Sequence, residues 1–129
     1  MRAVHAYEPL LWTAVALYGL VFLVALGSDL GGRRELPTWV WWVYGLGSVL
    51  ILLQATSGAA LYLWGARPRT PLHLLYGLLS AAGAIAAFGV RHAGVLRREG
   101  GRATRIVTLL SLTVTALLLR AYTTGAFGR

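Results

Sequence analysis

The chain has 129 residues, is 57% hydrophobic and 12% charged, and carries a formal net charge of +8. That is about half the charge density of a soluble domain, so an ordinary water-soluble enzyme domain is excluded and the length leaves room for a single domain. With no cysteine, and Met1 as the only methionine, disulfides, thiolate zinc sites, iron–sulfur clusters, covalent c-type haem and thioether copper are excluded as well.

The first element is an uncharged run from Pro9 to Gly27, long enough to cross a bilayer core. Pro9 suits a first helical turn. Ala25-Leu26-Gly27 resembles a small-residue cleavage site. The long segment before it, flanked by Arg2 and Glu8, instead predicts a retained transmembrane helix over 9–27. The second helix is expected over 38–64, opened by Pro37-Thr38 and again without charge. Trp39, Trp41, Trp42 and Tyr44 gather at its entry, and Tyr62 and Trp64 at its exit. With Tyr7 and Trp12 on the first helix, these rings read as anchors at headgroup level. Near the middle of the second helix, Gln54 shares a face with Gly47, Ile51 and Gly58. Its amide wants partners in hydrocarbon, either across a helix interface or on a bound cofactor or quinone.

The third helix is expected over 70–92, after a tight turn bracketed by Pro68 and Pro71. His73 lies about one turn inside it. An ionisable group in an apolar span is a functional candidate by default. Below His73 runs a strip of Tyr76 or Gly77, Ser80, Ala84 and Ala87, narrow enough for a flat macrocycle to lie against. Imidazole is a common ligand of haem iron. The competing readings are a histidine hydrogen-bonded at the interface, and proton transfer or quinone binding. His92 cannot share a haem with His73, because it lies about 28 Å further along the helix axis.

The fourth helix is expected over 104–126, after a basic loop broken by Gly100-Gly101. Thr104, Thr108, Ser111 and Thr115 form one stripe at helical spacing. Arg120 lies near the far end, where it can snorkel, pair with Glu8 or hold a haem propionate. Small residues on the second and third helices, among them Gly77 and Ala81 four apart, suit close helix packing.

All twelve basic residues are arginine. Seven fall in the first and third connections (Arg33, Arg34, Arg91, Arg97, Arg98, Arg102 and Arg105) and four on the opposite side (Arg2, Arg67, Arg69 and Arg129). The positive-inside rule puts both termini outside the cell's plasma (inner) membrane. The positive charge then serves anionic lipid, with no nucleic-acid partner expected. His73, Arg120, Glu8, His5 and Tyr122 converge in the outer third.

The stretch LLQATSGAALYLWGARPRTPLHLLYG, residues 52 to 77, resembles part of the haem A synthase family. In that family a glutamine-then-glycine helix leads through a proline-containing turn to a helix bearing a haem-ligating histidine. Gln54 and Gly58 match the first part and His73 the second, and the resemblance covers residues 48 to 90. The family has eight helices in two halves, each half with a second histidine. Four helices and no such histidine are found here. The resemblance therefore implies a haem-binding fold and not the family's oxygenase chemistry.

The expected fold is all-α, an integral membrane four-helix antiparallel bundle of one domain over 1–129. The expected function is that of a small membrane protein that binds haem b and takes part in electron transfer or haem handling. His73 is the metal ligand in this reading, with Gln54, Arg120, Tyr76 and Gly77 around the cofactor. The haem would be five-coordinate, or would take its second ligand from another subunit. The alternative is a cofactor-free accessory or assembly subunit of a larger membrane complex, or a homo-oligomer, with no catalytic residues. No carboxylate pair or nucleophile constellation points to an enzyme.

Overall fold

The computed structural model describes residues 8–33, 35–68, 70–92 and 103–126. The expectations about Arg2, His5, Tyr7, Arg34, Arg69, Arg97, Arg98, Arg102 and Arg129 fall outside these residues, as do the side chains of Ala87, Arg91 and His92. Four helices follow one another: α1 Glu8–Leu30, α2 Thr38–Leu63, α3 Pro71–His92 and α4 Ala103–Ala126. No strand occurs among the described residues. Glu8–Leu30, Thr38–Leu63 and Thr104–Thr124 are long and apolar enough to cross a membrane. In α3 the described apolar run is shorter, Pro71–Ala86.

α1 continues past the expected end at Gly27 to Leu30. Asp29 is tolerated in that last turn because the Arg105 Nε lies 3.5 Å from its carboxylate. The helix stops at Leu30. The Arg33 and Gly32 amides bond back to the Ser28 and Asp29 carbonyls, and Gly32 takes φ +77°. α2 ends in the same way. The Ala66 and Gly65 amides reach the Leu61 and Tyr62 carbonyls, with Gly65 at φ +92°. This is the Schellman arrangement, whose left-handed residue is most often glycine.

Each helix packs against its two neighbours in a closed ring, α1 with α2 and α4, and α3 with α2 and α4. Contacts at both ends show that α1 and α4 are antiparallel. Trp12 near the start of α1 meets Tyr122 near the end of α4 at a ring separation of 5.2 Å. At the other end Thr104 opens α4 by donating to the Arg33 carbonyl at 2.8 Å and to Asp29 at 3.2 Å. One end of the bundle therefore holds the start of α1, the α2–α3 turn and the end of α4; this is the turn end.

The interior is rich in small and hydroxyl-bearing residues, packed with valines, Ile51 and Leu118. Ala14, Ala25, Ser48, Ser80, Ala84, Thr104 and Ser111 are buried, whereas Leu23, Leu63, Leu78 and Leu109 are each at least 60% exposed. A helix packs most closely where side chains are small. At Gly47 an added Cβ would lie 2.8 Å from the Tyr18 ring, and at Gly83 one would lie 2.7 Å from Val114 Cγ2. The hydroxyls are satisfied mainly within their own helices. Thr108, Ser111 and Thr115 donate to the carbonyls of Thr104, Val107 and Ser111. The α4 stripe thus packs as a small face, and only Thr104 bonds to another element.

Tyr44 is not a headgroup anchor. It is 3% exposed and packs edge-on against Tyr18 at 5.1 Å. It lies on the Val40–Tyr44–Ser48–Ile51 face that meets α1, and that placement overrides the usual interfacial preference of tyrosine. Trp39, Trp42 and Trp64 do point outward.

Candidate functional site

Of the four seams, the one between α2 and α3 is the sparsest. It opens at the turn end into a slot of about 390 Å³, within the size range of small-ligand sites. Its walls combine small residues, Ala55, Gly58 and Ala59 of α2 and Gly77 and Ala81 of α3, with Leu61, Leu74 and Leu78. A Cβ added to Gly77 would meet nothing within 4 Å. The polar groups in the lining, Tyr62, Arg67, His73 and Thr124, belong to the turn and to the adjacent helix ends.

His73 stands on the first turn of α3, where its own amide bonds to the Thr70 carbonyl at 3.2 Å. Its ring crosses to α4, and Nδ1 lies 3.0 Å from the Ala121 carbonyl oxygen. A carbonyl can only accept, so Nδ1 carries the hydrogen and the lone pair of the neutral ring is on Nε2. Fixing one ring nitrogen on a backbone carbonyl sets tautomer and orientation together, as is usual for metal-binding histidines. The same carbonyl also accepts from Thr124 Oγ1 at 3.1 Å.

Arg67 is held twice at the mouth. Its Nη1 donates to the Tyr62 carbonyl at 2.7 Å and to the Ala66 carbonyl at 3.3 Å. Its Cζ lies 4.2 Å from the centre of the Tyr62 ring. The α2 terminus, with its exposed carbonyls, favours a cation there. No carboxylate is among the lining residues.

Of the residues expected at a cofactor, His73 and Gly77 line the slot and Gln54, Tyr76 and Arg120 do not. Gln54 is half-buried one turn deeper than Gly58. Arg120 is exposed and makes no ion pair with Glu8. Arg67 was legible in the sequence only as a loop cation. The signal for its role is its position just past the end of an apolar span, in the same turn that leads to His73.

The described residues contain no group of three or more histidine, cysteine, aspartate or glutamate side chains able to hold a bare metal ion. A haem needs only one such side chain, since its porphyrin supplies the other ligands. Compared with known protein families, characterised proteins and solved structures, the chain matches none.

Proposed function

We propose that this is an integral membrane protein of four spans that binds haem b in the α2–α3 slot, where His73 Nε2 would hold the iron. The single observation behind it is His73, in the wall of an apolar slot with its other ring nitrogen tied to the Ala121 carbonyl. What supports the reading is one oriented imidazole with glycine and alanine among the lining residues, which a flat macrocycle can approach closely. When bound, haem b supplies a one-electron couple, which suits electron transfer or haem handling. The chain's own part is to orient the imidazole, exclude bulk water with Leu74 and Leu78, and leave a flat space at Gly77.

The membrane setting is supported by the inside-out distribution of residues. Small and hydroxyl-bearing side chains, with valines, Ile51 and Leu118, fill the interior, and most leucines and three of the tryptophans, Trp39, Trp42 and Trp64, lie on the outside. In water such a surface would aggregate; in lipid it is the stable arrangement. The arginine count favours the plasma (inner) membrane with both termini outside. The slot then lies near the outer face.

The test is the absorption spectrum of purified protein supplied with haem b. The wild type should show a Soret band that is lost in His73→Ala, with helicity by circular dichroism unchanged in both. A high-spin spectrum corresponds to a five-coordinate iron, and a low-spin spectrum to a second ligand such as His73 of a second copy. A colourless wild type contradicts the proposal.

One observation favours a second reading. The slot is open along one side, and its glycine and alanine walls would also seat a helix of another membrane subunit. This is the cofactor-free accessory or assembly role, in which the protein stays colourless and co-purifies with a partner.

A further inference from the structure

Among the described residues Arg67 is the only arginine, aspartate or glutamate in the slot lining, so no described acid there neutralises it. Its two hydrogen bonds both come from Nη1, and its Cζ sits over the Tyr62 ring, which restrains the guanidinium. Nε and Nη2 make no hydrogen bond among the described residues. They form the edge of the fork that takes a carboxylate or phosphate with two parallel bonds. The side chain is thus ordered by the end of α2, so little freedom remains to be lost when an anion arrives.

We infer that Arg67, and not Arg120, is the anion-holding residue of the slot, and that the occupant carries a carboxylate or phosphate at its polar end. The inference rests on the haem reading for its first source of anion, the haem propionates. A lipid phosphate offers the same chemistry at the same depth. His73 and Arg67 then divide the work: the imidazole meets the centre of the ligand and the guanidinium its charged end.

The experiment compares haem b with its dimethyl ester, whose propionates are capped, on wild type, Arg67→Gln and Arg67→Lys. Arg67→Gln should weaken haem b by about tenfold or more and leave the ester unchanged, since a charged hydrogen bond is lost only for the free acid. Arg67→Lys keeps the charge and a donor for the Tyr62 carbonyl but loses the fork, so it should fall between. If Arg67→Gln affects neither ligand, or both equally, while His73→Ala abolishes the Soret band, the haem reading stands and the inference about Arg67 is wrong.

A second arm needs no haem. Wild type and Arg67→Gln are taken from vesicles holding phosphatidylglycerol and the uncharged diacylglycerol of the same chains, and the retained lipid is weighed by native mass spectrometry. Preferential retention of phosphatidylglycerol that is lost in Arg67→Gln identifies lipid phosphate as the anion. If the wild type binds no haem, the haem reading fails by itself. Equal lipid retention by the two proteins then overturns the inference about Arg67.

Discussion

The α1–α2 seam and the α2–α3 seam share a helix and differ in almost everything else. On the α1 side, α2 presents Val40, Tyr44, Gly47, Ser48 and Ile51, all buried. Tyr18 fills the notch at Gly47 and its hydroxyl bonds to Ser48, which in turn donates to the Tyr44 carbonyl. On the α3 side, α2 lines a slot with Ala55, Gly58 and Ala59, opposite Gly77 and Ala81 with Leu74 and Leu78 beside them. Small residues close the first seam because a large ring enters the notch they leave. The same kind of residue leaves a slot in the second seam because no tyrosine ring of α3 enters it. Small-residue patterns therefore indicate where helices can approach, and the partner side chain decides whether the approach closes the gap.

Substitutions at the glycines break this contrast most strongly. Gly77→Leu should leave helicity unchanged and fill the slot, lowering haem affinity by about tenfold or more through overpacking against Gly58 and Ala59. A titration followed at the Soret band checks it. Gly47→Ala and Gly83→Ala should cost about 1–3 kcal/mol in reversible unfolding in detergent. The first crowds a ring pinned by its own hydroxyl, and the second a stiff valine. Gly77→Ala, by contrast, should be neutral or stabilise by about 0.5–1 kcal/mol, since it gains helix propensity and meets no neighbour. Equal losses at Gly47 and Gly77 would mean that the two seams are alike. Thr104→Val should cost about 1 kcal/mol in the same assay, by removing the donor to Arg33 and Asp29. Arg120→Gln should stay within about 0.5 kcal/mol, and should not change haem binding, because the side chain is exposed and off the slot.

The helices were legible because long uncharged runs have few other physical uses. Their ends were less so. α1 passes Gly27 because Asp29 finds its countercharge on α4, a partner no local pattern can reveal. Gly32 and Gly65 then stop α1 and α2 at positions where only the backbone conformation shows why glycine is needed. The candidate site was half legible. His73 and Gly77 stand out as an imidazole over a small residue one turn along the same helix face. Gln54 and Arg120 were grouped with them because each was polar and of suitable depth. Depth does not specify which of two neighbours a helix face meets. α2 touches both α1 and α3, and its periodicity alone cannot assign Gln54 to either seam. Tyr44 was misplaced for the same reason, since an aromatic residue near a helix entry fits an interface and a core equally well. Arg67 belongs to the slot because the α2 terminus folds it back onto Tyr62, a consequence of the Gly65 turn.

The most direct test of the central claim is chemical rescue at His73. His73→Gly should purify without the Soret band of the wild type, and adding free imidazole with haem b should restore that band by entering the vacated position beside Ala121. A His73→Gly protein that keeps the wild-type spectrum without imidazole, or a wild type that never acquires one, would contradict the claim that this imidazole holds the slot's ligand.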